Sequence, residues 1–152
     1  MKKIAYATIL AVTMGTAQAA DVGVNVGYDN AARGTSTLGV TASQKLTDKV
    51  NVAVEADVGL RDRAENNRLS VVGSCDVTTL LGASVAAKAG VAAIDPQSGR
   101  NGFALVAGVG AELPVPAVKN VAVTLDYRYQ LGQDRVSRLD GSRWFAGVKY
   151  KF

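Results

Sequence analysis

Six ionisable residues form the one group in this sequence that could act together chemically. They are three acids and three bases, so their formal charges cancel: Glu55, Asp57, Lys88, Asp126, Arg128 and Lys149. Each lies in a segment where apolar residues alternate with other residues, and each falls on the less apolar side. Charges removed from water are very costly unless they pair and form hydrogen bonds. Such a set suits either a static network of salt bridges or a gate on an ion path.

The composition argues against several classes of function. The chain has no histidine, the commonest general base and metal ligand, and its single cysteine, Cys75, cannot form an intramolecular disulfide. The sequence shows no Cys and His cluster, Asp-rich calcium loop or Gly-rich phosphate loop. We therefore expect no enzyme, no catalytic residue, no cofactor and no metal. The net charge of +4 comes from scattered Lys and Arg, so no nucleic-acid partner is expected. Cys75 is interpreted as a small apolar side chain, with a reactive thiol as the alternative.

The elements that must position the six charges are strands, because apolar residues recur at every second position. The clearest segment is 50–60, with an apolar residue at each even position from Val50 to Leu60. An alanine-rich helix is the alternative for 79–94, but Gly82 and Gly90 disfavour a helix interior, and we interpret it as a strand. Residues 76–78 are expected to form a short turn. The predicted strands are 21–29, 36–46, 50–60, 68–75, 79–94, 103–113, 121–131 and 143–152.

The short connections between these strands predict an antiparallel up-and-down meander. All three prolines lie between strands, where a missing backbone donor does no damage. A sandwich, a soluble barrel and a membrane barrel all fit this pattern. The apolar face is nearly pure over six strands, which favours the membrane barrel. In such a barrel the charges must point into the lumen, because a lipid-facing Lys or Arg at the midplane would cost roughly 2–4 kcal/mol. The less apolar face is also rich in small residues, as a narrow interior requires, and most aromatic residues lie near strand ends on the apolar face. The predicted fold is an all-β, eight-stranded antiparallel transmembrane β-barrel with the six charges inside.

The first residues have the features of a secretory signal peptide. Lys2 and Lys3 precede an apolar stretch, Ile4 to Gly15, which is too short to span a bilayer. Ala17-Gln18-Ala19 is a small-x-small cleavage site. We expect residues 1–19 to be removed on export and residues 20–152 to form the barrel.

The last predicted strand ends in Tyr150-Lys151-Phe152. With this terminal aromatic residue, the signal peptide, the strand count and the alternating loop lengths, the chain resembles bacterial outer-membrane barrels of the OmpA and OmpX type. The resemblance implies a monomer in the outer membrane, in contact with lipid and lipopolysaccharide. It also implies that both termini are periplasmic and that Phe152 is part of the signal read by the barrel assembly machinery. Three arginines near the last loop are expected either to touch lipopolysaccharide phosphates or to be solvated: Arg135, Arg138 and Arg143.

Three functions are consistent with this sequence. The first is a non-enzymatic outer-membrane protein that contributes to envelope structure or surface contacts, with its lumen closed by a salt-bridge network. The second is a narrow porin for ions or small solutes. The third is a soluble periplasmic β-barrel that binds a ligand. An eight-stranded barrel has room for little more than its own side chains, which favours the closed lumen.

Deletion of Phe152 is expected to lower the amount of protein in the outer membrane. The deletion removes the terminal aromatic that the resemblance assigns to assembly, and it removes an interfacial aromatic from the closing strand. Immunoblots of outer-membrane fractions measure the effect. Equal levels of the parent and the deletion variant would mean that the terminal aromatic has no such role.

Overall fold

The computed structural model describes residues 20–30, 34–60, 66–96, 102–133 and 140–152. The predicted signal peptide therefore lies outside the described residues. Within them, no helix is long and apolar enough to cross a membrane. The chain forms eight antiparallel strands: β1 (Ala20–Asp29), β2 (Thr35–Lys45), β3 (Val50–Gly59), β4 (Asn66–Leu80), β5 (Ala83–Pro96), β6 (Gly102–Pro114), β7 (Val121–Gly132) and β8 (Gly141–Lys151).

The eight strands close into one barrel in chain order, with each strand paired to the next. Closure is made by β8 and β1, whose register runs from Asp21 opposite Lys151 to Asp29 opposite Arg143. We call the end of the barrel that carries the β1–β2, β3–β4, β5–β6 and β7–β8 connections the loop end. The opposite end, with the three other connections, is the turn end. The predicted all-β, eight-stranded up-and-down barrel is confirmed.

The outward face of the barrel is apolar and the inward face is polar, as the alternation predicts. On β7, Leu125 is 54% exposed and its neighbour Asp126 only 8%. The same strand buries Arg128 and exposes Tyr127 and Tyr129. A soluble barrel would show the reverse arrangement, so this surface suits contact with hydrocarbon.

Aromatic side chains on the outward face mostly lie towards the two ends of the barrel. Tyr28 and Phe103 lie near the loop end and are 49% and 68% exposed. At the turn end, the rings of Tyr150 and Phe152 meet edge to face with their centroids 4.9 Å apart. This distribution agrees with the interfacial belts expected of a transmembrane barrel.

The predicted turn at 76–78 is wrong. β4 continues to Leu80 by way of a register shift between Asp76 and Thr78, and the chain reverses at Leu81 and Gly82 instead. Asp and Thr are common in turns, but here a bulge absorbs one extra residue without ending the strand. Leu81 and Gly82 both have positive φ, 51° and 84°, which matches the twist that a two-residue hairpin needs. The strand interpretation of the alanine-rich segment is confirmed.

The barrel interior also contains an apolar region. Ala92 and Ile94 of β5 pack with Ala104 and Val106 of β6, and all four are buried. Val72 of β4, which blurs the alternation in the sequence, points inward and is 2% exposed. The inward face is therefore polar on most strands but apolar where β5 and β6 approach the loop end.

Substitution of Leu81 by Asn is expected to stabilise the barrel by about 1 kcal/mol. In the left-handed conformation the Cβ of leucine lies too close to a carbonyl oxygen, whereas Asn-Gly is the preferred pair for this turn. Denaturant unfolding of the folded protein in lipid vesicles measures the change. Leu81→Ala is the matched control, since alanine keeps the left-handed cost while removing the exposed side chain. An equal gain in the alanine variant would show that conformational strain is not the cause.

Candidate functional site: the charged barrel interior

Four of the six predicted charges meet in the middle of the barrel, and we call them the middle cluster: Glu55, Lys88, Asp126 and Arg128. Arg128 pairs with Glu55 through both terminal guanidinium nitrogens, Nη1 and Nη2, with Nη2 2.9 Å from Oε1. The same Nη2 donates to Asp126 Oδ2 at 3.1 Å, and Lys88 Nζ lies 2.6 Å from Asp126 Oδ1. The result is an unbroken chain of charge contacts from β3 through β7 to β5.

The Arg128–Glu55 pair crosses the full width of the lumen. β3 and β7 are four strands apart in a closed ring of eight, so they face each other across the barrel axis. Both side chains are only 5–6% exposed. A planar guanidinium and a carboxylate form a bidentate pair with fixed geometry. This pair therefore links opposite walls of the barrel directly.

A second group of charges, the loop-end cluster, lies above the middle cluster: Asp29, Asp57, Arg68 and Arg143. Arg68 pairs with Asp29, and Arg143 reaches Asp29 at 3.4 Å and Asp57 at 3.2 Å. Their side chains are 0–3% exposed. Asp57 thus pairs here and not with Arg128 or Lys88, although it shares β3 with Glu55.

A third group, the turn-end cluster, is more open: Asp21, Glu112, Lys149 and Lys151. Lys149 Nζ lies 2.8 Å from Glu112 Oε2 and 3.4 Å from Asp21 Oδ2, and Lys151 also pairs with Glu112. The exposure of these side chains ranges from 17% for Lys149 to 42% for Lys151. Each of the three clusters contains two acids and two bases, so each is neutral on its own.

The sequence did not identify all the residues of these clusters. Arg143 was expected near the last loop, either touching lipopolysaccharide phosphates or solvated. Both expectations are wrong, because Arg143 is buried in the lumen. Its proposed companions, Arg135 and Arg138, lie outside the described residues. Asp29 and Arg68 were missed because they lie at strand ends, where an inward charge and a loop charge look alike.

Phe145 joins two of the clusters. It is the one large apolar residue on the polar side of β8, and it points inward with 4% exposure. The guanidinium carbons of Arg128 and Arg143 lie 5.0 and 4.6 Å from its ring centroid. Both distances suit a cation–π contact, which gains strength where the cation is desolvated. The ring therefore supports one arginine of the middle cluster and one of the loop-end cluster.

Two glycines make room for the charged side chains. A Cβ on Gly110 would clash with the Asp126 carboxylate and lie 2.6 Å from Lys88 Cε. A Cβ on Gly39 would clash with Asp57 and lie 2.5 Å from Asn25 Oδ1. At these two positions a larger residue would press against a charged side chain of a cluster.

A cavity of about 250 Å³ occupies the turn-end part of the lumen. Its lining runs from Asp21 and Lys151 near the turn end to Glu55, Lys88 and Asp126 in the middle cluster. None of the loop-end cluster lines it. In the described part of the chain, no group of three or more His, Cys, Asp or Glu could hold a metal ion. The cavity is thus a polar recess that ends at the middle cluster.

Comparison with solved structures identifies the fold. Neisserial surface protein A is similar with a TM-score of 0.64 and 14% identity, over 88% of this chain and 95% of that one. The Yersinia pestis outer membrane protein Ail, solved in a phospholipid bilayer nanodisc, gives a TM-score of 0.58 and 10% identity, over 90% of this chain and 100% of that one. The chain has the fold of the small outer-membrane β-barrels.

A de novo designed transmembrane β-barrel shares this outer-membrane barrel fold, with a TM-score of 0.62 and 18% identity over 88% of this chain and 95% of that one. No protein-family model matches the sequence, and no curated protein matches it either. At these identities the likeness concerns the fold, and the function must be argued from the barrel's own interior.

Substitution of Arg128 by Met is expected to destabilise the barrel by roughly 3–5 kcal/mol, because it leaves Glu55 buried without a partner. Lys151→Met, which removes an equally close but 42% exposed partner of Glu112, should cost less than about 1 kcal/mol. Urea unfolding in vesicles measures both. The double variant Arg128→Met with Glu55→Gln should recover much of the loss, and a double variant as unstable as Arg128→Met alone would contradict the pairing.

Proposed function

We propose that this protein is a non-enzymatic integral protein of the bacterial outer membrane whose lumen is a closed salt-bridge plug. The membrane location is supported by the fold and by the apolar outward face with aromatic residues towards its ends. The same face does not fit a soluble periplasmic protein, which would have to expose it to water. The lack of any histidine in the sequence supports a non-enzymatic role.

The observation that carries the closed lumen is the Arg128–Glu55 pair across the barrel axis, together with the loop-end cluster beyond it. An ion crossing the barrel must pass both groups, and their side chains have almost no exposed surface. Their acids and bases pair with each other, so they offer no net charge to attract a permeating ion. Opening this path would leave several buried charges unpaired, which is costly.

The proposed role is contribution to envelope structure or surface contacts. Lipid and lipopolysaccharide are the proposed partners of the outward face. The assembly machinery is the proposed reader of Phe152, which is 75% exposed at the end of the closing strand. We propose a monomer, since a closed ring of eight strands leaves no unpaired strand edge for another copy.

A narrow porin is the second candidate function, and the turn-end cavity favours it. That cavity already opens the lumen as far as the middle cluster. The middle cluster, the loop-end cluster and the buried side chains packed around them separate it from the loop end, so a path would require the arginines of both clusters to move.

Single-channel recording in planar bilayers tests the proposal. The parent protein is expected to show no steady conductance, because the two clusters close the lumen. The double variant Arg128→Ala with Arg143→Ala should show conductance steps, because it removes two of the three arginine side chains of the plug. Heat-modifiable gel mobility of both proteins confirms that folded barrels are compared. Steady conductance by the parent would reject the plug and favour the porin.

A further inference from the structure

The β1–β8 seam differs from every other strand pair of the barrel in its connectivity. The seven other pairs join consecutive strands, and a hairpin connection restricts their register. β1 and β8 lie at opposite ends of the barrel sequence, so no turn sets their alignment and closing them costs the entropy of a long loop. A slip of one residue would turn every side chain of β8 to the other face, but a slip of two would preserve the faces. The alternation alone therefore cannot distinguish the observed register from registers two residues away.

Ion pairs are distributed unevenly over the strand pairs. Among the described residues, two ion pairs join strands that are neighbours in the sheet, and both lie on the seam. Lys149 of β8 contacts Asp21 of β1 near the turn end, and Arg143 of β8 contacts Asp29 of β1 near the loop end, each at 3.4 Å. The other interstrand ion pairs of the described residues connect strands that are not neighbours, such as Arg128 with Glu55. The pair that has no hairpin is thus the pair that has a charge contact at each end.

Each of these seam contacts is held in place by another strand. Arg143 also binds Asp57 of β3, and Asp29 also binds Arg68 of β4. Lys149 also binds Glu112 of β6. A slip of two residues would move the β8 charges by about 7 Å along β1. A slip that puts Lys149 opposite Asp21 moves Arg143 from Asp29 to Gly27, away from its direct partner. The reverse slip moves Lys149 from Gly23 to Asn25, farther from Asp21.

We propose that Lys149–Asp21 and Arg143–Asp29 are register latches, which select the alignment of β8 on β1 when the barrel closes. They discriminate between registers that keep every side chain on the same face of the sheet. The latches lie at the two ends of the seam, so each direction of slip moves at least one latch pair out of its observed alignment. The alternative is that steric fit sets the register, because the Phe145 ring lies close to Gly27 of β1.

Disulfide trapping on the outward face measures the register. In a Cys75→Ser background, Val24→Cys with Val148→Cys reports the observed alignment, since these residues are Cα partners. Val24→Cys with Ala146→Cys and Val24→Cys with Tyr150→Cys report the two alignments shifted by two residues. In the parent charge background, oxidation after refolding into lipid should trap the first pair and leave the two shifted pairs reduced.

Removal of the latch acids should release the register. In Asp21→Asn with Asp29→Asn, the yield of the shifted disulfides should rise about tenfold relative to the parent. The single variant Asp21→Asn changes only a partly exposed group, so it serves as the test if the double variant does not fold. It should raise the yield of at least one of the two shifted disulfides. Asp21→Glu keeps the charge and should restore the parent pattern.

Lys88→Met is the matched control, since it removes an interior charge of the middle cluster that does not touch the seam. It should leave the shifted pairs reduced. If the latch variants trap no shifted pair, packing such as Phe145 against Gly27 sets the register and the proposal is rejected. If Lys88→Met traps shifted pairs as efficiently as the latch variants, general destabilisation is the cause and the proposal is rejected as well.

Discussion

The structure depends on the contact between Arg128 and Glu55 across the barrel axis. Lipid on the outside requires every outward side chain in the hydrocarbon region to be apolar, so the charges of the strands must all point inward. The interior of an eight-stranded barrel is so narrow that inward charges meet across the lumen. Once they meet, they must be matched in sign and number, because an unpaired charge there has little water to solvate it. The apolar surface and the neutral interior are therefore two results of one constraint.

Small residues and one aromatic residue adapt the interior to these charges. Gly39 and Gly110 give space to Asp57 and to the Lys88–Asp126 pair, because neither glycine has a Cβ to occupy the volume that these charged side chains fill. Phe145 occupies a position where alternation would put a small or polar residue, and its ring faces two guanidinium groups. The interior combines this polar packing with an apolar region on β5 and β6, where Ile94 is 1% exposed. Both kinds of packing leave the loop-end part of the lumen filled.

Much of this architecture could be predicted from alternation, because the two-residue period reports directly which face each side chain occupies. The period puts Glu55, Lys88 and Arg128 on the less apolar face, and the cost of a charge in hydrocarbon makes that face the inward one. The pairing partners do not, since they depend on how the closed sheet brings distant strands together, and a single sequence does not specify that register. Asp57 illustrates the limit, because its position two residues from Glu55 gives no sign that it pairs with Arg143 on another level. The turn after β4 was missed for a different reason: a bulge at Asp76 and Thr78 keeps the strand paired through residues that usually end one.

The cavity at the turn end has an electrical consequence. Its lining reaches from Lys151 to the middle cluster, so electrolyte entering it would bring the aqueous potential of that side deep into the barrel. A potential difference across the membrane would then fall mainly over the filled part of the lumen, between the middle cluster and the loop end. The insulating part of the barrel would then be thinner than the surrounding bilayer. The transmembrane electric field would be strongest at Arg128, Arg143 and their carboxylate partners.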